Sequence, residues 1–228
     1  MLTILSETIK DVLFPKQCFG CRSWGLFICE NCRTQLANHK FLRCIICQKP
    51  SLGGWTHPKC RGKYRPERLI TIFDYQDEVI SQLINTGKLA LVPDIFLELT
   101  ETAYARVNVV QPNLWSFVLC PIPQTKSKTR WRGFNQSELI AQVLSLKLNL
   151  VVDRALIKIR FTKQQKELNK LGRAANLKNA FRFTGGSIPT EVILVDDITT
   201  TGSTFLEASK VLKRAGVHTV WCLALAQD

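Results

Sequence analysis

An α/β protein with a mostly parallel sheet and a small cysteine-rich module at its N-terminal end is the fold class that the sequence predicts. The cysteines are the first observation: of nine in 228 residues, seven lie between Cys18 and Cys60. The second is the change of pattern beyond Tyr64, where apolar runs of strand length alternate with amphipathic stretches of helix length, the order that produces parallel strands joined by helices. The third is an apolar run that stops at two adjacent acids, Asp196 and Asp197, and passes through a loop of small hydroxyl residues into a helix. A hydrophobic fraction of 46% is enough for a real core, and the length suits one ordinary domain plus an attachment. The chain divides accordingly into residues 1–65, an N-terminal helix with the cysteine-rich module, and residues 66–228, the α/β unit.

Residues 2–13 carry Leu2, Leu5, Ile9, Val12 and Leu13 at helical spacing, so a short amphipathic helix is expected ahead of the module. From Cys18 to about Arg65 no long apolar period is present, and a bound metal has to stand in for a core. Such a module is expected to come apart without its metal while the α/β unit persists. Strands are expected over residues 69–75, 115–123, 191–195 and 219–226, and helices over 79–84, 94–107, 135–148 and 203–215. Helices of that length between parallel strands cover both faces of a sheet.

The formal charge of +13 speaks to partners rather than to fold, because a basic surface concentrates polyphosphates and nucleic acids around itself. Much of the excess sits in Lys126, Lys128, Arg130 and Arg132 and in a second run from Arg154 to Arg182. No apolar run approaches the ~20 residues of a membrane-spanning helix, and the first stretch is broken by Glu7, Lys10 and Asp11. The expectation is a cytoplasmic protein without membrane insertion, in which thiols stay reduced and paired cysteines are metal ligands rather than disulfides.

Cys18-x2-Cys21 is followed after seven residues by Cys29-x2-Cys32, and two tight turns at that spacing let four thiolates surround one tetrahedral Zn²⁺. Cys44-x2-Cys47 followed by His57-x2-Cys60 repeats the design with an imidazole in one position. One or two structural zinc ions are expected. Sequential pairing is favoured, first turn with second and third with fourth; a cross-braced pairing has the same spacing. With every ligand from protein, such sites hold shape and do no chemistry.

In the segment from Val192 to Thr204 an apolar strand ends at Asp196 and Asp197, and Thr199, Thr200, Thr201, Gly202, Ser203 and Thr204 lead into the next helix. Ligands of open α/β sheets lie beyond the carboxyl ends of the strands, where a helix N-terminus favours phosphate. Gly202 allows close backbone approach and the hydroxyls add donors. Two acids repel phosphate, so they face another part of the ligand, and vicinal sugar hydroxyls suit two acceptors. A ribose 5-phosphate satisfies both halves.

This segment resembles the binding motif of the type I phosphoribosyltransferases, whose substrate is 5-phosphoribosyl diphosphate (PRPP). The resemblance assigns Asp196 and Asp197 to the ribose hydroxyls and to catalysis, and Thr199 through Thr204 with Gly202 to the 5-phosphate. Pro121-Ile122-Pro123 after a strand, then Arg132-Gly133-Phe134-Asn135-Gln136 and an ensuing helix, narrow the likeness. Over essentially its whole length the chain is similar to the ComF family, in which a zinc module is fused to a phosphoribosyltransferase domain and which is associated with bacterial DNA uptake. Lys88, Thr162, Gln165, Leu168, Arg173, Asn176 and Phe181 follow in the family's order. His57 stands where the family usually has Cys, and Gln164 where it usually has Pro.

The resemblance implies transfer of a phosphoribosyl group from PRPP to an unknown nitrogen acceptor, with Mg²⁺ carried by the PRPP. Arg130 and Arg132 are the best candidates for its diphosphate. With Trp131 and Phe134 between and beside them, the same cations suit single-stranded DNA equally. Residues 160–176 resemble the hood loop of type I enzymes. The alternative function is a non-catalytic protein of natural transformation that binds PRPP and single-stranded DNA, with proteins of the uptake machinery as further partners.

Overall fold

Each long strand of this chain is apolar on both sides, and the computed structural model shows why: the sheet they form is covered on both faces. The structure describes residues 15–36, 42–110, 114, 116–159, 177 and 179–228, with side chains from 105 to 110 excepted. The helix expected over residues 2–13, Lys40 and the segment 160–176 lie outside the described residues. Strands β1 (Arg68–Asp74), β2 (Phe117–Pro121), β5 (Glu191–Thr199) and β6 (Thr219–Gln227) form a four-stranded sheet in the order β1-β6-β5-β2. Every pairing in it is parallel, with Leu69 opposite Cys222, Val192 opposite Val220 and Phe117 opposite Glu191. A separate antiparallel ribbon joins β3 (Leu156–Lys158) to β4 (Phe181–Phe183). The α/β class with a mostly parallel sheet is as the sequence predicts.

The period of two along each strand sorts side chains to opposite cores. Ile70, Ile72, Ile193, Val195 and Leu223 point to one face, where they meet Ile80, Phe96, Ile140 and Leu144. Those partners come from α2 (Glu78–Leu89), α3 (Pro93–Val110) and α5 (Gln136–Leu148). Leu69, Val192, Leu194, Cys222 and Ala224 point to the other face, against Phe205, Ala208 and Leu212 of α6 (Ser203–Ala215) and against Leu156 and Phe181 of the ribbon. Strand β6 is buried along eight consecutive residues, the mark of a central strand with both faces covered.

Local signals set the helix ends. Asp77 caps α2 by accepting from the N–H groups of Val79 and Ile80 at 2.9 and 3.1 Å, and Asn135 caps α5 through Ser137 N–H at 3.2 Å, as capping chemistry requires. Helix α6 stops at Gly216, whose φ of 120° only glycine adopts without strain. Outside the cysteine-rich part, two elements escaped the sequence reading. One is α4 (Lys126–Arg132), a single short helix capped by Thr125 and closed by Gly133 at φ 80°; with no apolar period, nothing in its sequence announces it. The other is the ribbon, three residues per strand.

The cysteine-rich part does not stand apart from these cores. Cys18, Ile28, Cys32 and Leu36, the last two on or beside the short helix α1 (Glu30–Gln35), are buried in the first core, and Ile45 is wholly buried in the second. Glu98 of α3 accepts from Phe27 N–H at 2.8 Å, and Lys16 pairs with Asp94 at 3.1 Å. The cysteine-rich part is thus packed against both cores of the α/β unit. Among the described residues no helix is long and apolar enough to cross a membrane.

The contact between α2 and α3 has a functional consequence because Gly87 precedes Lys88. A Cβ at Gly87 would stand 2.7 Å from the Phe96 ring. Gly87→Val is expected to destabilise the fold by about 1–3 kcal/mol through overpacking, read from urea denaturation, and to displace Lys88 from its partner described below.

Candidate metal centres and anion site

Each metal cluster combines one tight turn with the start of one helical turn. Arg22 N–H donates to the Cys18 carbonyl at 2.9 Å, and Gln48 N–H donates to the Cys44 carbonyl at 2.9 Å. Arg22 and Gln48 leave these turns with φ of 65° and 60°, so the two turns share one geometry. Cys29 is the N-cap of α1 and His57 the N-cap of the 3-10 turn Pro58–Cys60; the sequence reading expected a second tight turn at both places. The candidate ligand atoms of Cys18, Cys21, Cys29 and Cys32 lie within 4.8 Å of one another, as do those of Cys44, Cys47, His57 and Cys60. Pairing is sequential, and a cross-braced arrangement is ruled out.

The donor chemistry fits zinc in both sets. His57 Nε2–H donates to the Pro50 carbonyl at 3.1 Å, which leaves the Nδ1 lone pair, 3.3 Å from Cys47 Sγ, for a metal. Burial raises the Cys18 and Cys44 thiols, but the N–H groups of the turns outweigh it and hold both below the ordinary value. Burial and then the neighbouring thiols push Cys32 up to about 12 and Cys60 up to about 11. A dication removes the mutual repulsion and displaces those protons. Cys120 is different: burial, then Asp153, pushes it up to about 12 far from any such set, and with buried Cys222 it is plain core.

At the carboxyl end of β5 the two acids are held differently. Asp196 Oδ1 accepts from Ser137 Oγ at 2.8 Å and from Asp197 N–H at 3.0 Å. Asp197 accepts Ile198 N–H on one oxygen at 2.7 Å and pairs with Lys88 Nζ through the other at 2.8 Å. Burial first and the Asp197 carboxylate second push Asp196 up to about 7, against the pull of Ser137, the Asp197 N–H and Lys88. The site thus contains one carboxyl that titrates near neutrality beside one that is ion-paired.

Cations surround this pair. Arg132 is buried, and its Nε has no partner among the described residues; burial lowers its pKa while the Asp197 charge raises it. Burial, then Arg132 and Lys88, lower Lys128, which also feels both acids. Burial, then Lys128, lower Lys158 on β3, which feels Asp196. Gln124 donates to Gln136, and both are left with one buried amide atom unpartnered. Of the two arginines read from the sequence, Arg132 is brought to the acids while Arg130 lies exposed on the same helix. Lys128 and Lys158 each belong to a basic run of the sequence without a role of their own there, and Ser137 was not singled out: Lys158 lies on a strand too short to read, and Ser137 looks like any first-turn serine.

The loop after the acids folds as a helix entry. Thr199 is buried, and its carbonyl accepts from Asp228 N–H at 3.1 Å. Thr201 Oγ1 and Ser203 Oγ lie 2.7 Å apart, and Gly202, at φ 73°, is the N-cap of α6 without a side-chain cap bond. Ser203 N–H donates to Thr201 Oγ1 at 3.4 Å, and the positive end of the α6 dipole at this entry favours an anion. Thr200 and Thr204 flank the same turn, half-buried. Gly202 has a second reason to be glycine: a Cβ there would stand 2.7 Å from Ile45 Cγ1, so its bare side faces the second metal turn.

Two outcomes follow. Elemental analysis is expected to give two zinc ions per chain, one for each cluster; one ion would remove the His57 set. Asp196 holds a proton in the folded state that the unfolded chain releases between its ordinary value of 3.8 and about 7, so its contribution to stability is present below that window and is lost as pH rises through it. The melting temperature of Asp196→Asn relative to the parent should therefore rise between about pH 5 and about pH 8; a constant difference would mean that Asp196 is not raised.

Two relatives match this chain over most of its length and a third over about half. DNA utilization protein YhgH of Escherichia coli (strain K12) is 34% identical over 230 residues, covering 92% of this chain and 96% of the relative. Competence protein ComFC of Bacillus subtilis (strain 168) is 26% identical over 202 residues, 83% of this chain and 79% of its own. Competence protein F of Haemophilus influenzae is 39% identical over 114 residues, 47% of this chain and 50% of its own. No family model matches the chain. With paired cysteine clusters ahead of a parallel α/β sheet and a relative of this identity along nearly its whole length, the chain belongs to the ComF family.

Proposed function

We propose that this protein binds PRPP at the carboxyl end of β5 and acts in the handling of DNA taken up by the cell. The observation that carries the first half is the arrangement at one strand end: a raised carboxyl and an ion-paired one, then a helix entry, with Lys88, Lys128, Arg132 and Lys158 converging on them. Acceptors for ribose hydroxyls, donors for a 5-phosphate and cations for a diphosphate lie together. The second half is supported by the names of the relatives, DNA utilization protein and competence protein.

The reaction that suits these groups is transfer of the phosphoribosyl group to a nitrogen nucleophile. Positive charge grows at the ribose C1 and negative charge on the departing diphosphate, so fixed cations stabilise departure and the two acids orient the sugar. Asp197, both of whose oxygens are engaged, fixes Lys88; Asp196 has an oxygen left for a hydroxyl. Among the described residues the two clusters are the groups of three or more metal-ligand side chains, so Mg²⁺ would arrive with the diphosphate and supply charge neutralisation there.

A second reading, binding of single-stranded DNA without turnover, is favoured by Trp131, 62% exposed and flanked by Arg130 and Arg132. An exposed indole among cations is a stacking platform.

Asp196→Asn with Asp197→Asn is expected to weaken PRPP binding by about a hundredfold or more, since a charged hydrogen bond from a ligand hydroxyl to Asp196 is worth roughly 1.5–3 kcal/mol and loss of the Asp197 charge releases Lys88. Calorimetry with PRPP and Mg²⁺ measures it, with thermal melting as control; parental affinity in a folded variant sinks the reading. Release of diphosphate only with an acceptor present identifies the transferase. Trp131→Ala with Arg130→Ala should weaken single-strand binding and reduce the salt slope by about one; unchanged binding moves that surface elsewhere.

A further inference from the structure

We propose that Ile45 and Gln48, on the tight turn of the second metal cluster, are positioning residues for the loop from Thr199 to Thr204, so that anion binding there depends on the second cluster and not on the first. The ligand half of this rests on the PRPP reading; the coupling of turn to loop does not.

The loop is referenced to that turn at both ends. At Gly202, where the chain reverses with φ 73°, the missing side chain leaves room for Ile45: a Cβ would stand 2.7 Å from Ile45 Cγ1 and 3.4 Å from its carbonyl oxygen. Ile45 is wholly buried, grouped with Leu194 of β5 and Phe205 of α6, so the turn tip is wedged between the strand before the loop and the helix after it. At Thr199 the link is polar. Gln48 Nε2 donates to the Ile45 carbonyl at 2.8 Å, and Gln227 Nε2 donates to Gln48 Oε1 at 3.2 Å. Thr71 Oγ1 donates to Gln227 Oε1 at 3.2 Å. Gln227 is the register partner of Thr199.

Ile45 lies between Cys44 and Cys47 and Gln48 follows directly, donating its N–H back to the Cys44 carbonyl; a turn of that size would be held rigid by a metal on its two thiolates. Backbone donors for an anion must be placed to about half an ångström, so slack in the turn reaches the loop directly. The first cluster is anchored elsewhere, with Cys18, Ile28 and Cys32 in the opposite core and Phe27 N–H on Glu98. It serves as the internal control.

The test measures amide hydrogen exchange of residues 200–204 and, on the same samples, PRPP affinity with Mg²⁺. Ile45→Ala, Gln48→Ala and His57→Ala are expected to speed exchange in the loop by about tenfold or more and to weaken PRPP binding by a similar factor, with amides of residues 140–144 unchanged. Ile45→Val, which keeps the wedge, should stay within about threefold of the parent. Glu98→Gln, which loosens the first cluster's anchorage, should leave the loop at parental values. Parental loop exchange in folded Ile45→Ala or Gln48→Ala, or a loop loosened as much by Glu98→Gln, overturns the proposal. If Ile45→Ala does not fold, Gln48→Ala and Ile45→Val decide. A parent that binds no PRPP while its loop still responds to Gln48→Ala removes the PRPP reading and leaves the coupling standing.

Discussion

Two adjacent carboxyl groups at the end of a buried strand cannot both ionise unaided, and most of what surrounds Asp196 and Asp197 answers that constraint. Asp197 takes a lysine and a backbone N–H. Asp196 takes a hydroxyl and the N–H of its neighbour and titrates near 7. Their helpers come from three elements: Lys88 from the end of α2, Ser137 from the first turn of α5, and Arg132 from α4. The helices of the first core must therefore pack in one register against β5 for the acids to be tolerated at all. Packing and electrostatics are a single requirement here.

The metal clusters solve a different shortage. Of the large apolar side chains in residues 15–60, Ile28 and Leu36 are buried in one core of the α/β unit and Ile45 in the other, while Trp24, Leu26, Leu52 and Trp55 are exposed. What remains has no core of its own, and the two ligand clusters sit where a bound metal would fix the turns. That division explains why the part looks separate in the sequence, where composition changes abruptly near Tyr64, and yet is packed into both faces of the sheet in space.

The fold was legible to the extent that burial writes itself as periodicity. The four long strands are apolar on both sides and bounded by turn residues, and α2, α3, α5 and α6 carry a core-facing stripe, so all eight were found. Helix α4 was not, because Lys126 to Arg132 has no stripe and depends on Thr125 and Gly133 alone. The ribbon was not, because three-residue strands hold no period. At the site, the acids and the loop were legible since their residue types are unusual after an apolar strand. Lys158 and Ser137 were not, since a lysine on a short strand and a serine in a first turn carry no local mark; only the fold brings them within reach of Asp196.

The electrostatics of the site are unfinished as they stand. Lys158 is half-buried and Lys128 reaches solvent, yet desolvation and the neighbouring cations lower both while the two acids pull the other way. Arg132 Nε and one amide atom on each of Gln124 and Gln136 are buried without a partner among the described residues. Each such atom left unpaired would cost roughly 1–3 kcal/mol, and ordered water or a bound group is what completes atoms of this kind. A sugar alone would leave the cations unanswered, and a lone phosphate would leave Asp196 facing like charge. A ligand with hydroxyls at one end of a polyanion answers both, and it does so without asking Asp197 to surrender Lys88. The same surplus of cations beside an exposed Trp131 accounts for why a nucleic-acid strand remains chemically close to the small ligand: both present phosphates next to ribose or deoxyribose, and what separates them is whether Asp196 receives a pair of free hydroxyls.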